Sequence, residues 1–345
     1  MKNELVSVII PVFNSDVFLF KAVDSILNQT HQRFEILLIN DGSKSDQTLR
    51  ICDKLVAKDQ RVKLINQENQ GTEHARMTGI KNASGDFFMF MDHDDAYKKT
   101  AIALLLKSII HSNADIVVAN SEKQFFFKLP FYTKQNGFYK DFCIDNPEFM
   151  QKYYMNFFGI NYFPVTTWGK LYRKSSFDLS KIIISKVNFM EDVLINMQLF
   201  PQAEKICFLK DIIYSQRFGG LSSKLDAQKT IEGYFKVYDL RKSLLEQYGL
   251  SNNEKFLLFE IKNVVINLLK KLIEYNKPKE EFFEVSRQIR ESTLFNQNYK
   301  LFPESLILHN LLTNKDMANY KALTAELKKN YNIRLKVLIK KIFLK

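Results

Sequence analysis

The stretch Asp86–Asp95 reads D-F-F-M-F-M-D-H-D-D, an apolar and aromatic run that leads directly into three carboxylates. The run Phe87–Met91 is short and rich in aromatic residues, and Gly85 introduces it, which is typical of a buried strand rather than a helix. Open α/β sheets present ligand-binding groups at the carboxyl ends of their strands. We therefore expect a ligand beside the carboxylates that end the stretch, which are Asp92, Asp94 and Asp95.

Three crowded carboxylates repel one another unless a positive charge neutralises them. Mg²⁺ and Mn²⁺ prefer oxygen ligands, so the aspartates predict a site for one of these cations. The residues also allow a second interpretation, in which the aspartates form a solvated acidic turn that caps a helix beginning near Lys99. The chain that precedes the stretch favours the cation site.

Apolar runs and helical patterns alternate before this stretch. The predicted strands are Leu5–Val12, Phe34–Ile39 and Val62–Ile65. The predicted helices are Asp16–Gln29, one that Ser43 and Asp46 would begin as a capping box, and Thr72–Ala83. This alternation predicts an α/β fold with a mostly parallel sheet flanked by helices. The polar strand ends at Asn14, Asp41 and Asp92 would then meet at one edge.

Glycine-rich phosphate-binding motifs are missing from the sequence. It contains neither G-x-G-x-x-G nor G-x-x-x-x-G-K-[ST], which disfavours a dinucleotide-binding fold of the usual kind and a P-loop. A nucleotide at this edge would be held by side chains and a metal ion.

Length and charge set broad limits. The chain has 345 residues, enough for two or three domains, and a formal net charge of +12. Such a charge suggests nucleic acid, an anionic membrane or phosphorylated ligands, or simply a lysine-rich solubilising surface. The cysteines are widely spaced, and we expect them to be buried, reduced thiols; they are Cys52, Cys143 and Cys207. We also expect a cytoplasmic protein without a signal peptide or membrane span.

Four motifs in the first 120 residues resemble those of a known family. They are S-V-I-I-P-V-F-N (Ser7–Asn14), L-L-I-N-D-G-S (Leu37–Ser43), N-Q-G-T-E-H-A-R (Asn69–Arg76) and G-D-F-F-M-F-M-D-H-D-D (Gly85–Asp95). Their order and spacing resemble the family 2 glycosyltransferases, which have the GT-A fold. The resemblance implies inverting transfer of a sugar from a nucleotide-sugar, usually a UDP-sugar, assisted by Mg²⁺ or Mn²⁺. It implies no nucleic-acid partner.

The resemblance assigns the nucleoside to residues of these motifs. The backbone around Pro11 and Phe13 would line the base pocket. Asp41 would hydrogen-bond the uracil, and Arg76 would contact the base or orient the donor. A turn aspartate and a surface arginine are the alternative interpretations of the last two residues.

The D-x-D motif is the part of the resemblance that concerns the metal. Asp92 would lie near the ribose, and Asp94 would bind the cation. The sequence departs from the family at Met77, commonly Asn, and at His93, commonly a small residue. Both departures leave the preferred base and donor sugar open.

Later motifs resemble the acceptor half of these enzymes. W-G-K-L-Y-R begins at Trp168, so Trp168 and Lys170 are expected on the acceptor side or in support of it. The E-D motif supplies Asp192 as the general base, with Glu191 beside it. An inverting transfer needs one carboxylate to take the acceptor's proton, which supports the assignment. Both acidic residues would also suit the first turn of a helix.

Two further segments flank this half. Arg217 ends Y-S-Q-R, which resembles a family segment, and it would stabilise the leaving diphosphate. Its alternative is a surface arginine. Residues Lys123–Tyr139 are aromatic and basic, and they predict a loop or hairpin beside the acceptor.

The last third of the chain is helical in pattern. We expect domain-like parts over residues 1–120, 121–225 and 226–345. The tail Lys321–Lys345 predicts a basic amphipathic helix that either contacts an anionic membrane at the inner face of the cell membrane or packs on the domain or a second copy in a homodimer. Membrane contact would suit a lipid-linked oligosaccharide acceptor, as in capsule or lipopolysaccharide synthesis.

Two other functions remain open at this point. A nucleotidyltransferase uses a related sheet and also places carboxylates on a metal, although the missing glycine-rich loop disfavours it. A non-catalytic, membrane-associated binding protein could retain the fold, although the intact D-x-D and E-D motifs disfavour that function.

Overall fold

The computed structural model describes residues 4–125, 131–135, 138–158, 165–185, 187, 189–217, 227–292 and 305–343. Contacts divide the chain into two compact units, Met1–Ser223 and Lys224–Lys345.

The first unit is built on one ten-stranded sheet. Its strands are β1 (Val6–Val12), β2 (Phe34–Asp41), β3 (Val62–Gln67), β4 (Phe87–Phe90), β5 (Ala96–Tyr97), β6 (Ile116–Phe125), β7 (Phe131–Gln135), β8 (Phe142–Asp145), β9 (Lys170–Arg173) and β10 (Lys205–Arg217). The main path runs β3-β2-β1-β4-β9-β6-β10-β5, with β7 on β6 and β8 on β10. Its helices are α1 (Phe18–Leu27), α2 (Asp46–Lys58), α3 (Thr72–Asn82), α4 (Ala101–Ser112), α5 (Asn146–Lys152) and α6 (Glu191–Leu199).

The four strands β3, β2, β1 and β4 are parallel, as the sequence predicts. Their aliphatic and aromatic side chains form much of the core, because helices cover both faces of the sheet. Val12 pairs with Asn40, and Ile9 pairs with Phe90, so these strands end at the same edge. The predicted convergence of strand ends is therefore confirmed.

The other half of the sheet is mixed. Strand β9 is antiparallel to β4 and β6, whereas β10 is parallel to β6. Register shifts interrupt β10 between Leu209 and Tyr214, and such bulges bend a strand and redirect its side chains. Strands β6 and β7 pair antiparallel, as the hairpin interpretation of the segment Lys123–Tyr139 predicts. Residues 126–130 and 136–137 of that segment lie outside the described residues.

The first turn of α2 differs from the prediction. Ser45, not Ser43, is its N-cap, and the Ser45 hydroxyl accepts a hydrogen bond from the Thr48 N–H. The Ser43 hydroxyl instead accepts from the Asn14 N–H in the neighbouring turn. The predicted capping box is wrong because a tertiary contact uses the hydroxyl that local spacing assigned to the helix.

The expectation of three buried, reduced thiols is wrong for two cysteines. Cys143 and Cys207 form a disulfide. They lie directly opposite each other in the antiparallel pair of β8 and β10, with 4.0 Å between their Cα atoms. Strand β8 has no clear pattern in the sequence, so nothing there indicated the pairing. Cys52 is buried and free, as expected.

The second unit is helical. Its helices are α7 (Ala227–Gln247), α8 (Glu254–Glu274), α9 (Lys279–Glu291), α10 (Leu306–Leu312) and α11 (Asp316–Phe343). A buried ion pair joins Arg241 of α7 to Glu260 of α8 at 2.6 Å. Lys270 of α8 pairs with Glu326 of α11 at 2.7 Å, so the beginning of the basic tail packs within this unit. Within the described residues, no helix is long and apolar enough to cross a membrane.

Candidate active site

Two turns at the carboxyl edge of the sheet are locked to each other. Asn14 follows β1 with φ +46°, in the left-handed region that asparagine tolerates. Its N–H donates to Ser43 Oγ (3.0 Å), and its Oδ1 accepts from the Lys44 N–H (3.1 Å). Pro11 is half-buried and Phe13 is exposed beside these turns. The predicted base-pocket residues therefore lie on a fixed edge of the sheet.

Asp41 is buried at the end of β2. Its Oδ1 accepts hydrogen bonds from Gln67 Nε2 (2.7 Å) and the Gln70 N–H (2.9 Å), and its Oδ2 accepts from the Gly71 N–H (2.8 Å). These bonds fix the turn from which α3 begins. Contact between Asp41 and a nucleobase stays a prediction.

Arg76 of α3 lies between two predicted site carboxylates. Its guanidinium is 3.2 Å from Asp92 Oδ1 and 2.6 Å from Asp192 Oδ1. Arg76 is buried, so both ion pairs are shielded from much of the solvent. Thr167 Oγ1 also donates to Asp192 Oδ1, at 3.0 Å. The Arg76 guanidinium thus pairs with both Asp92, which is expected near the ribose, and Asp192, which is expected to be the general base.

A second arginine holds Asp94. The Arg217 guanidinium donates twice to Asp94 Oδ2, from Nη2 at 2.6 Å and Nε at 3.2 Å. It also lies over the Phe18 ring, 4.2 Å from its centroid. Arg217 and the predicted metal ligand are therefore neighbours, although 123 positions separate them in the sequence.

Asp95, the third carboxylate of the opening stretch, is tied to β10. Tyr214 donates its hydroxyl to Asp95 Oδ2 at 2.7 Å, and the Arg217 N–H donates to Asp95 Oδ1 at 2.7 Å. The Asp95 N–H donates to the Asp92 carbonyl, which closes a tight turn. These bonds contradict a merely solvated acidic turn, because Asp95 is buried and both partners of its side chain lie on β10.

Burial raises the pKa of two carboxyl groups in this cluster. Burial raises the pKa of Asp92 to about 7, against the opposing effect of Arg76, and the charges of Asp192 and Asp94 add to the rise. Burial, followed by the charge of Asp92, raises the pKa of Asp95 to about 8. Such displaced values are typical of functional sites.

A divalent cation fits this cluster at one carboxylate rather than three. Within the described residues, no group of three or more histidine, cysteine or acidic side chains could hold a metal. Arg76 neutralises Asp92, and Tyr214 and backbone occupy Asp95. Asp94 Oδ1 accepts no hydrogen bond from any residue that the structure describes, so Asp94 offers one free carboxylate oxygen. That donor suits Mg²⁺ or Mn²⁺, which usually take few protein ligands beside substrate phosphates.

Trp168 and Lys170 lie inside the sheet. The Trp168 ring stacks on Tyr214, with 4.4 Å between centroids. Lys170 is fully buried, and its Nζ donates to the carbonyl oxygens of Thr166 and Trp168. Burial lowers the pKa of Lys170 to about 7. These positions are those of supporting residues; direct contact with an acceptor stays a prediction.

Asp192 lies in the first turn of α6, as the helix-start interpretation also predicts. Met190 precedes this turn with φ +57°, a left-handed conformation that is uncommon outside glycine and asparagine. Strained backbone of this kind concentrates at functional sites. Glu191 follows it, and burial raises the pKa of its carboxyl group.

Sequence reasoning missed the partners of the site residues rather than the residues themselves. The pairing of Arg76 with Asp192 and the hydroxyl of Thr167 carried no local signal. Glu73 could have been noticed, because it lies three residues before Arg76 and so shares its side of α3.

With this geometry in place, comparison with known proteins gives a consistent result. The family model "Glycosyl transferase family 2" matches residues 7–179, half of the chain. The chain belongs to this family. It is a glycosyltransferase, which confirms the sequence prediction.

The chain is also similar to named glycosyltransferases of several bacteria. Glycosyltransferase GlyG of Streptococcus pneumoniae is 31% identical over 226 residues, covering 62% of this chain and 71% of its own. Glycosyltransferase GlyA of the same species is 31% identical over 254 residues, 72% of this chain, but the match spans only about a third (35%) of GlyA. A cholesterol galactosyltransferase of Borreliella burgdorferi is 28% identical over 86% of both chains.

Solved structures show the same fold. Staphylococcus aureus TarS 1-349 matches with a TM-score of 0.59 at 20% identity, over 94% of this chain and 91% of that one. The same fragment in complex with UDP-GlcNAc matches with a TM-score of 0.55 at 21% identity, over 94% and 92%. The predicted GT-A fold with a helical C-terminal portion is therefore confirmed.

Proposed function

We propose that this glycosyltransferase moves a sugar, with inversion, from a UDP-sugar to a hydroxyl of a glycan or lipid-linked acceptor in cell-surface polysaccharide synthesis. The observation that carries the proposal is the ion-paired row Asp92–Arg76–Asp192, which joins the expected donor site to the expected base. The UDP and UDP-GlcNAc complexes of TarS support a UDP-sugar donor.

The donor would bind at the carboxyl edge of the parallel strands. Phe13 is exposed there and offers a ring to the base, with the backbone at Pro11 beside it. Asp41 would hydrogen-bond the uracil with a remaining lone pair, and Asp92 would accept from the ribose. Arg76 orients this site through Asp92.

The diphosphate would lie near Asp94 and Arg217. Asp94 would hold Mg²⁺ or Mn²⁺ through its free oxygen, and the bound cation would supply positive charge for the diphosphate. Arg217 would move its guanidinium from Asp94 to the phosphate oxygens, which gain negative charge as the bond to the sugar breaks.

Asp192 would act as the general base. The acceptor oxygen attacks C1 of the sugar from the face opposite the diphosphate, the C1–O bond to the diphosphate breaks, and the acceptor's proton passes to Asp192. UDP leaves with the bonding electrons. A carboxylate at this position suits the step because a quarter (25%) of the Asp192 side chain is exposed.

The charge of the C-terminal tail concerns the acceptor and the location of the enzyme. The tail Lys321–Lys345 carries eight basic residues against one acid, which would favour anionic lipid at the inner face of the cell membrane. No nucleic acid takes part in this reaction, and packing of the tail on a second copy in a homodimer is the alternative to membrane contact.

Calorimetric titration with UDP, GDP, CDP and dTDP tests the donor assignment. Each titration is made with Mn²⁺ and with chelator, on the wild type and on Asp94→Ala. We expect Mn²⁺-dependent binding of UDP that Asp94→Ala loses. Binding of a different nucleoside diphosphate would overturn the assignment of uracil as the nucleobase, and binding of none would contradict the proposed donor class.

A further inference from the structure

Helix α3 packs against α6, the helix that carries Asp192. Two α3 residues that are one helical turn apart contact α6 and the chain before it. Arg76 reaches Asp192 itself, and Glu73 reaches the segment that leads into α6. Residues three apart in a helix lie on the same side, so one surface of α3 makes both contacts.

The two oxygens of Asp192 have different surroundings. Oδ1 accepts from the Thr167 hydroxyl at 3.0 Å and lies 2.6 Å from the Arg76 guanidinium. No residue that the structure describes donates to Oδ2. One oxygen is therefore held by two partners, while the other is available to take a proton from an acceptor.

Glu73 holds the chain a few residues before the base. Its Oε2 accepts from the Ser185 hydroxyl at 2.6 Å and from the Ser185 N–H at 2.9 Å. Only 3% of Glu73 is exposed, and burial raises the pKa of its carboxyl group. Its Oε1 is buried and has no hydrogen-bond partner among the described residues. Burying an incompletely bonded carboxyl group is unfavourable, so we expect the contact with Ser185 to have a functional role.

Thr167, which donates to Asp192, is itself held in place by hydrogen bonds. The Tyr172 hydroxyl donates to Asn196 Oδ1 at 2.8 Å and lies 3.3 Å from the Thr167 carbonyl oxygen. Asn196 Nδ2 donates to the carbonyl oxygens of Val165 and Thr166 at 2.8 and 2.9 Å. Residues 165–167 and the body of α6 therefore form one hydrogen-bonded block, from which the Thr167 hydroxyl reaches the base.

We propose that Glu73 and Thr167 are positioning residues for Asp192: Thr167 fixes its Oδ1 together with Arg76, and Glu73 fixes the approach to α6 through Ser185, so that Oδ2 faces the acceptor hydroxyl. This inference rests on the proposed function, because it concerns the same base. It adds two residues that act on proton removal and not on donor binding.

The Thr167 test compares Thr167→Val, which removes the hydroxyl, with Thr167→Ser, which keeps it. Turnover is measured as UDP release from UDP-glucose, UDP-galactose and UDP-GlcNAc with water as acceptor, and UDP affinity by calorimetry. We expect kcat to fall about tenfold in Thr167→Val and to stay within about twofold in Thr167→Ser, since a hydrogen bond to a charged group is among the stronger ones. UDP affinity should stay within about twofold in both variants.

The Glu73 test compares Glu73→Leu with Glu73→Gln. Glutamine keeps an oxygen that accepts from Ser185, so Glu73→Gln should retain most of the turnover, whereas Glu73→Leu should lose about tenfold in kcat with unchanged UDP affinity. If Glu73→Leu does not fold, the comparison of Thr167→Val with Thr167→Ser tests the positioning of Asp192. A fall in UDP affinity equal to the fall in kcat would mean a general structural role and would overturn the inference.

The same substitutions in an Asp192→Asn background separate the inference from the function on which it rests. Residues that act through Asp192 should change kcat by less than about twofold once Asp192 has been replaced. Wild-type turnover in Asp192→Asn alone would refute the proposed base. A large loss in Asp192→Asn, with wild-type turnover in both Thr167→Val and Glu73→Leu, would refute the positioning residues and leave the base intact.

Discussion

Replacing Arg217 with glutamine should strengthen the binding of Mn²⁺ to the nucleotide-free protein. The Arg217 guanidinium lies 2.6 Å from Asp94 Oδ2 and competes with a cation for the same carboxylate. About a fifth of each side chain is exposed (21% and 17%), so water weakens the pair. A gross attraction of about 4 kcal/mol for partners near a protein surface then leaves a net of about 1–2 kcal/mol. Removing the arginine should therefore tighten Mn²⁺ binding by about 5- to 30-fold.

The same substitution should weaken UDP binding in saturating Mn²⁺ by about tenfold or more, because the phosphates lose a charge-assisted hydrogen-bond donor. The two effects have opposite signs, which a general loss of structure would not produce. Mn²⁺ affinity is measured by electron paramagnetic resonance of the free ion, and UDP affinity by calorimetry.

Arg61→Gln is the matched control for this experiment. Arg61 also lies 4.2 Å from a ring centroid, that of Phe34, and pairs with Asp59 at 2.8 Å with similar exposure (28% and 22%). It should leave both affinities unchanged. Equal or weaker Mn²⁺ binding in Arg217→Gln would refute the idea that Arg217 and the cation share Asp94.

Three further predictions concern stability. Burial lowers the pKa of Lys170 from 10.5 to about 7, so between these pH values the unfolded chain binds a proton that the folded chain does not. The free energy of unfolding should therefore rise with pH across that window, by up to about 1.4 kcal/mol per pH unit. Urea titrations at several pH values should show this slope in the wild type and a smaller one in Lys170→Met. Gly79→Ala should lower the free energy of unfolding by about 1–3 kcal/mol, because its Cβ would lie 2.2 Å from Ile9 Cγ2 and push α3 from β1; an unchanged urea midpoint would contradict that packing. Cys143→Ala should destabilise the oxidised protein by about 2–4 kcal/mol, and dithiothreitol should remove the difference between variant and wild type.

The sequence predicts the parallel half of the sheet because local patterns suffice there. Each parallel strand is a short apolar run that ends in a polar residue, and strand ends in such a sheet meet at one edge. The positions of Asp41 and Asp94 follow from this rule alone. The helical second unit is likewise visible in the spacing of its apolar residues.

Contacts between distant parts of the chain were not predictable in this way. Arg76 and Asp192 are 116 positions apart, and nothing near either residue indicates their pairing. Ser43 has the right spacing for a helix cap, but the tertiary contact with Asn14 uses its hydroxyl. Cys143 meets Cys207 only because β8 pairs with β10, a strand pairing that the sequence does not specify.

The central claim is that Asp192 removes the acceptor's proton in a transfer from a UDP-sugar. The most direct measurement is UDP release from UDP-glucose, UDP-galactose and UDP-GlcNAc by the wild type and by Asp192→Asn, with UDP affinity measured on both. The account predicts turnover about 10²- to 10⁴-fold lower in Asp192→Asn, with UDP affinity within about threefold of the wild type. Undiminished turnover in Asp192→Asn would contradict the account.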